Sequence, residues 1–415
     1  MTDIRKLLPF YVVIFLGFFG YALTISLFIP MLADRSLNIL PQAASVSLRV
    51  SISGFLLAAY PLGQFLGSPI IGKLSDHYGR KRVLTLSLIA CIIGFSGIAV
   101  SIEQQSLIWL FISCFVTGLF ESNMSISQAV IADNCKDPER KMRLIGYAFS
   151  ACSLGYIVGP LIGGFGASNW DYSTPFWITA VGIFLLILWI HLGFEDTGLV
   201  SRNTKLNFLD TMTTFKTVFT DVRLRKVYLI NFLIFFAVQG LYRVAPLYIE
   251  NEWNPSLQTF TRIIAYVSLL CLLANMFLLG RLAKRFKTEM LLGGLLLFSG
   301  VAAILIVVPN HYAWIWLTYG LAVIPTVMLL STSTTWLSSQ VSNEEQGQVL
   351  GNNQALLVLG ECLSAAVGGL IAAIMIPLPV VIMGLILLAS FGIFKLQCKS
   401  THMLKDPIKN LSSFE

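Results

Sequence analysis

Long runs of apolar residues alternate with short polar stretches along the whole 415-residue chain. A helix rises 1.5 Å per residue, so about 20 apolar residues are enough to cross the hydrocarbon core of a membrane. The pattern therefore predicts twelve membrane-spanning helices. They lie near residues 10–32, 51–71, 83–101, 107–132, 144–167, 174–194, 227–250, 260–282, 289–308, 312–339, 349–375 and 378–397.

The composition supports a membrane protein and excludes an ordinary soluble enzyme. Hydrophobic residues make up 56% of the chain and charged residues only 12%, whereas soluble domains carry about 25% charged residues. The net charge of +7 does not indicate a nucleic-acid partner, because the basic residues lie between apolar runs. Seven cysteines are scattered without a C-x-x-C pair. We interpret them as apolar helix residues and expect neither a metal site nor a cofactor.

The basic residues predict the orientation of the helices. With twelve spans, 24 of the 28 lysines and arginines fall on the side of the N-terminus. Because cytoplasmic loops are enriched in lysine and arginine, we expect both termini in the cytoplasm. Arg5 and Lys6 precede an apolar run that is too long for a cleaved signal peptide, which favours a retained first helix.

The chain divides into two related halves. Positions Gly72 to Asp76 correspond to Gly280 to Lys284 at an offset of 208 residues, and four glycines of the fifth span recur in the eleventh at an offset of 205. Two repeats in the same orientation imply a pseudo-two-fold axis along the membrane normal. We expect an all-α membrane fold with two pseudo-symmetric six-helix bundles. The predicted boundaries are 1–194 for the first bundle, 195–226 for a central cytoplasmic loop, 227–397 for the second bundle and 398–415 for a cytoplasmic tail.

The stretch from Gly72 to Leu84, GKLSDHYGRKRVL, is unusually rich in charge for its place between two apolar runs. Its glycines suit a tight reversal of the chain, because glycine tolerates dihedrals that other residues avoid. The stretch resembles the loop between helices 2 and 3 of the major facilitator superfamily. The matching positions are Gly72, Leu74, Asp76, Gly79, Arg80, Lys81 and Leu84, while Ser75 and His77 depart from the pattern.

The fifth span contains a pattern of small residues around a proline. Glycines four residues apart allow close helix packing, and that alone is a sufficient explanation in any membrane bundle. The full pattern also resembles the helix 5 motif of the drug:proton antiporters in this superfamily, with closest likeness to tetracycline and multidrug exporters. The motif residues are Gly155, Gly159, Pro160, Gly163 and Gly164.

The resemblance implies roles for several residues on the cytoplasmic side. Asp76, with Gly79 and Arg80, would belong to a gate that docks on the start of the eleventh helix and holds this side closed. Asp133 and Arg140 are similar to the aspartate and arginine that frame the same gate after the fourth helix. One departure concerns the fourth helix itself, where Cys114 stands in place of the arginine that the family uses in proton coupling.

Three charges inside predicted spans are candidates for proton coupling. Glu121 lies in the fourth span, Arg243 in the seventh and Glu361 in the eleventh. A charge at the bilayer centre costs roughly 2.5–3.5 kcal/mol on insertion scales, so such residues face cavities or partners. Two interpretations stay open at this point. Arg243 and one glutamate form a salt bridge that only fixes packing, or the charges handle protons and substrate, with Glu121 as the proton carrier.

Polar and aromatic neighbours of these charges predict a substrate cavity. Ser125 and Gln128 share a helix face with Glu121, and Gln239 and Tyr242 lie beside Arg243. In the superfamily, helices 1, 4, 7 and 10 line the cavity, which implies that Tyr21, Thr24 and Trp336 also contribute.

Together these features predict a secondary active transporter that exports a small organic molecule or drug by alternating access, driven by protons. The chain lacks a Walker loop and an H-E-x-x-H motif, so neither ATP hydrolysis nor a zinc enzyme is expected. An alternative is transport of a specific anionic metabolite or a metal chelator such as a siderophore, which Arg243 favours. A non-transporting ligand sensor is a further alternative. We expect a multi-pass protein of the cell inner membrane that contacts lipid and works as a monomer.

Overall fold

The computed structural model describes residues 4–121, 123–133, 138–193, 224–342 and 345–405. We call residues 4–193 the first half and residues 224–405 the second half. The helices of the first half are α1 (Ile4–Ala33), α2 (Val46–Tyr78), α3 (Arg80–Glu103), α4 (Leu107–Phe120), α5 (Asn123–Asp133), α6 (Pro138–Asn169) and α7 (Thr174–Gly193). Those of the second half are α8 (Arg225–Trp253), α9 (Leu257–Leu273), a π-helical segment (Ala274–Leu279), α10 (Gly280–Arg285), α11 (Thr288–Leu305), α12 (Ala313–Ser338), α13 (Gln346–Ala372) and α14 (Leu378–Lys405).

Twelve spans in the described part of the chain are long and apolar enough to cross a membrane, which confirms the predicted count. The fourth span consists of α4 and α5, and the eighth consists of α9, the π-helical segment and α10. Large apolar side chains such as Ile93, Leu192 and Phe298 lie on the outside of the bundle. This exposure suits a lipid environment, where every backbone polar group must be satisfied within a helix.

Two hydrophobic cores follow the two halves of the chain. The buried residues of the first core lie between Leu7 and Ile190. The second is built from residues between Leu224 and Phe394 and also includes Ile29, Val50, Leu57 and Ala58 from the first half. These four residues lie near the end of α1 and in the first half of α2. We call this end of the molecule the distal end, and the opposite end, where α2 turns into α3 at Gly79, the basic end.

At the distal end the two halves are in close contact. A Cβ atom on Gly54 of α2 would lie 2.6 Å from the Cα of Gly369 in α13, so only glycine permits this approach. A Cβ atom on Gly164 of α6 would overlap the side chain of Thr261 in α9. The two helix pairs therefore seal the distal end.

At the basic end the same four spans stand apart at the corresponding positions. At four glycines there, no atom from another part of the described chain lies within 4 Å of the place that a Cβ would occupy. They are Gly72 in α2, Gly146 in α6, Gly280 in α10 and Gly351 in α13. The structure thus has a closed distal end and separated helices at the basic end.

The prediction of a loop around Gly72 to Leu84 is wrong in its extent. Helix α2 continues to Tyr78 and α3 begins at Arg80, so Gly79 alone separates them. Gly79 has φ 94° and ψ 141°, a conformation that favours glycine. One residue with this backbone geometry reverses the chain, and Gly72 lies within a helix.

Candidate transport site

A buried ion pair joins two helices of the second half and contacts the first half. The Arg243 guanidinium of α8 donates to the Glu361 carboxylate of α13. Tyr21 of α1 accepts a hydrogen bond from Arg243 and donates its own hydroxyl to Glu361. Gln239, one turn before Arg243, also bonds to Glu361. We call Tyr21, Gln239, Arg243 and Glu361 the Arg243 cluster.

The Arg243 cluster is almost completely shielded from solvent. The exposed fractions of Arg243, Glu361 and Tyr21 are 3%, 6% and 6%. The guanidinium carbon also lies 5.0 Å from the centre of the Tyr21 ring, within the range of a cation–π contact. The Nη1 atom of Arg243 is buried and has no hydrogen-bond partner among the described residues. This donor is available to an acceptor that enters the site.

The fourth span is broken at Glu121, contrary to the prediction of a continuous helix. Helix α4 ends at Phe120, Glu121 has φ −84° and ψ 74°, and α5 begins at Asn123. The backbone N–H of Glu121 donates to the Gly118 oxygen at 3.1 Å, and the Ser87 hydroxyl of α3 donates to the Phe120 oxygen. A break within a membrane span is tolerated where the backbone is buried in protein or lines a cavity.

The Glu121 carboxyl lies against α1, next to the Arg243 cluster. Its Oε1 atom would be 2.7 Å from a Cβ on Gly17, which is one helical turn before Tyr21. Glu121 is only 8% exposed, and no hydrogen bond or ion pair of its carboxyl is present among the described residues. Arg243 therefore pairs with Glu361, and Glu121 remains a separate buried acid on the same stretch of α1.

Two aromatic residues near Tyr21 were not predicted from the sequence. The ring of Tyr60 in α2 lies 4.9 Å from that of Tyr21, and the ring of Tyr156 in α6 lies 6.1 Å away. The Tyr60 hydroxyl is buried and has no partner within the described ranges. In the sequence both residues are tyrosines within apolar runs. That position does not reveal on which face of the helix the ring lies, so their proximity to Tyr21 could not be predicted.

The other predicted cavity residues differ in burial and in their hydrogen-bond partners. Thr24 is buried and donates to the Tyr21 oxygen at 2.7 Å. The Tyr242 hydroxyl lies 3.4 Å from Oγ1 of Thr326 in α12. Ser125 is exposed, whereas Gln128 is partly buried and its Nε2 lacks a partner in the described part.

Trp336 is packed in the core of the second half. Its ring lies 5.1 Å from that of Phe394 in α14, in an edge-to-face arrangement, and only 3% of the residue is exposed. The tryptophan thus packs against α14 within the core of the second half.

The predicted gating residues lie at the basic end. Oδ1 of Asp76 is 2.8 Å from Nη1 of Arg80, one turn along the chain and across Gly79. Asp133 is the last residue of α5, and its side chain lies outside the described part of the structure. Arg140 is partly buried near the start of α6.

The glycines of the fifth-span motif bring α6 close to α1. Cβ atoms on Gly155 and Gly159 would lie 2.7 and 2.8 Å from the backbone oxygens of Phe15 and Phe19. Gly163 faces the side chain of Leu23, and Pro160 lies within the same helix. Gly164 is the motif residue that reaches the second half.

Comparisons with known proteins agree with this architecture. A sequence model of the Major Facilitator Superfamily matches residues 10–351 and, in an overlapping match, residues 227–406. The chain belongs to the Major Facilitator Superfamily. Proteins of this superfamily are transporters and not enzymes, and the twelve spans make this chain a multi-pass membrane protein.

Bacterial resistance proteins are among the relatives of this superfamily member. The class B tetracycline resistance protein of Escherichia coli is 32% identical over 58% of this chain and 59% of its own length. Multidrug resistance protein 2 of Bacillus subtilis is 25% identical over 83% of this chain and 85% of its own. The quinolone resistance protein NorA of Staphylococcus aureus is 24% identical over 91% and 92%.

Solved structures of the superfamily share the fold. The human organic anion transporter MFSD10 superposes with a TM-score of 0.70 at 18% identity, over 95% of this chain and all of its own. A D-xylose–proton symporter gives a TM-score of 0.71 at 15% identity, over 93% of this chain and 97% of its own.

Proposed function

We propose that this protein exports a small organic molecule in exchange for protons. The observation that carries the proposal is Glu121, a buried carboxyl without a described partner at a helix break beside α1. The relatives of this protein include tetracycline, multidrug and quinolone resistance proteins. Since burial of an ionised carboxylate is costly, Glu121 binds a proton while it is shielded and releases it when water reaches it.

The Arg243 cluster couples proton binding to substrate binding. Tyr21 belongs to the first half, whereas Arg243 and Glu361 belong to the second, so their hydrogen bonds link the halves. Protonation of Glu361 would remove the negative charge that Arg243 neutralises. The guanidinium would then offer its charge and its Nη1 donor to another acceptor. The halves rock about this point, and each end opens in turn.

A second candidate function is the transport of a specific anionic metabolite or chelator. The buried Nη1 donor of Arg243 favours it, because a guanidinium matches the geometry of a carboxylate. Organic-anion transport by MFSD10, which shares the fold, is compatible with this alternative. A neutral or cationic substrate would leave that donor to a water molecule.

The test is transport by purified protein in liposomes that contain a pH-sensitive dye. Tetracyclines, quinolones, lipophilic cations, organic acids and chelators are added under an imposed proton gradient. We expect substrate-dependent proton flux that Glu121→Gln abolishes and Glu289→Gln, a change at an exposed acid of α11, leaves intact. Proton-coupled transport that persists in Glu121→Gln would refute the role of Glu121, and substrate movement without proton flux would refute the antiport.

We further propose a bacterial inner-membrane location, with the basic end and both termini in the cytoplasm. The charge asymmetry of the sequence and the bacterial relatives support this orientation. Each of the two halves would act as one moving unit around the central loop. A single chain contains both halves and the Arg243 cluster, which supports a monomer as the working unit.

A further inference from the structure

A second buried acid lies near the distal end of α8. Glu250 is 6% exposed, and its Oε2 atom is buried without a hydrogen-bond partner in the described part of the structure. The ion pairs recorded among the described residues do not include it. An unpaired carboxyl in such a place is costly if it is ionised.

Glu250 shares a face of α8 with Arg243. The two residues are seven positions apart, which is about two helical turns and about 10 Å along the axis. Glu250 is the one nearer the distal end, because α8 ends at Trp253. It therefore lies between the Arg243 cluster and the distal surface.

The surroundings of Glu250 combine groups from both halves. Tyr172 lies in the turn between α6 and α7; burial, Asp34 and Glu250 all raise the pKa of its hydroxyl. Tyr312 precedes α12, and burial together with Glu250 raises the pKa of its hydroxyl. The Tyr312 ring also lies 6.0 Å from the ring of Trp253. Both tyrosines thus lie within the field of the Glu250 carboxyl.

Two charged residues at the distal end, Asp34 and Arg49, bond to groups other than Glu250 in the described part of the structure. Asp34, at the end of α1, is itself acidic, and its carboxylate accepts hydrogen bonds from Ser36. Arg49 of α2 directs its guanidinium to the backbone oxygens of Leu32 and Pro41, at 2.8 and 3.1 Å. Glu252, an exposed residue in the last turn of α8, adds another negative charge. Glu250 therefore lies near two tyrosines, and one of them, Tyr172, also lies near the acid Asp34.

We propose that Glu250 is a second proton-binding carboxyl and that it holds a proton whenever the distal end is closed. The proposal rests on the alternating opening of the two ends that the proposed function requires. Opening of the distal end brings water to the carboxylate, and the proton leaves to that water. Closure then takes one proton from the distal side, so acidity on this side favours closure.

The test measures the opening of the distal end directly. Spin labels are carried on unnatural amino acids at Asn169 and Gln258, two exposed positions at the distal ends of α6 and α9. Pulsed electron resonance then gives the distance between the labels from about pH 5 to about pH 9, the range in which buried carboxyls titrate. We expect the short-distance population of the unmodified protein to fall as the pH rises.

Variants test whether the Glu250 carboxyl causes the pH dependence of the distance between the labels. Glu250→Gln, which resembles the protonated acid, should keep the short-distance population constant across the pH range. Glu250→Asp should retain a pH response with a displaced midpoint, which also shows that position 250 tolerates change. Glu252→Gln, at an exposed acid of the same helix, should respond like the unmodified protein. A response of Glu250→Gln equal to that of the unmodified protein would overturn the proposal.

The outcome is separable from that of the transport experiment. If the distance between the labels does not change with pH and the protein still exchanges substrate for protons, only the role of Glu250 is refuted. If the pH dependence of the distance is lost in Glu250→Gln and the protein moves no substrate with protons, this proposal is supported and the proposed antiport is refuted.

Discussion

Arg243 and Glu361 hold opposite charges in a part of the molecule that water scarcely reaches. Each charge is tolerated because the other is present, together with Tyr21 and Gln239. Loss of one partner leaves a buried charge, whereas loss of both charges leaves only polar groups to satisfy. The pair is therefore expected to behave very differently under single and double substitution.

We predict that Glu361→Ala destabilises the protein by about 3–5 kcal/mol, because it strands the Arg243 guanidinium in a buried site. The double variant Arg243→Gln/Glu361→Gln should recover most of this loss. Thermal unfolding in detergent measures both effects. Asp76→Asn is the control, since the pair of Asp76 with Arg80 is partly exposed and should contribute about 1 kcal/mol or less. Equal losses in the single and double variants would contradict the argument.

At this scale the sequence left two interpretations of the intramembrane charges open, and a salt bridge of Arg243 with a glutamate was one of them. It did not distinguish Glu361 from Glu121, since the choice depends on how α8 packs against α13. The break at Glu121 was also missed. The residues on either side are neither proline nor glycine, and the break accompanies contacts from Ser87 and Gly17, which are distant in the sequence.

At the scale of elements, the reversal between α2 and α3 depends on one residue. Gly79 has φ 94°, whereas Gly72 lies in regular helix with open space around it. Both glycines belong to the same sequence motif, and the sequence gives no indication that only one of them has unusual dihedrals. Motif membership therefore predicted the site of the turn but not its length.

We predict that Gly79→Ala destabilises the protein by about 1–3 kcal/mol, because a Cβ strains this backbone conformation. Gly72→Ala should instead be neutral or stabilise the structure seen here by up to about 1 kcal/mol, since alanine favours helix and meets no neighbour. Both variants replace a glycine of the same sequence motif with alanine, and the two sites differ in backbone conformation. Their melting temperatures in detergent check the difference, and a larger loss for Gly72→Ala would refute it.

At the scale of the whole molecule, the spacing of the glycines relates the two ends. Gly54 and Gly72 are 18 residues apart in α2, and so are Gly351 and Gly369 in α13. Eighteen residues make five full turns, so each pair shares one helix face. The two helices are antiparallel, with Gly54 against Gly369 at the distal end. The same register would align Gly72 with Gly351 in a state with the basic end closed.

We predict that Gly72→Leu prevents closure of the basic end while it leaves the distal contact intact. Transport should be lost, and labels across the distal end should report only the closed distance. Gly54→Leu, the matched change at the other end of α2, should open the distal end instead, because Gly369 lies directly against it. Normal transport by Gly72→Leu would show that this register is not used.

The number of spans and the repeat were predictable because length, hydropathy and charge asymmetry act locally. Which end is closed was not predictable, since both states use one sequence and differ only in how the halves meet. Both ends of these helices have glycines that permit a close helix contact. Only the structure shows that the contact between Gly54 and Gly369 is formed.

The π-helical segment Ala274–Leu279 has a consequence for the other helix pair. Gly146 and Gly164 are 18 residues apart in α6, but the corresponding residues of the eighth span, Gly280 and Thr261, are 19 apart. A π-helical turn holds about one residue more than an α-helical turn. The segment thus absorbs the surplus residue and leaves Gly280 on the face of Thr261. In effect the eighth span tolerates a one-residue insertion, and deletion of one residue there would rotate Gly280 away by about 100°.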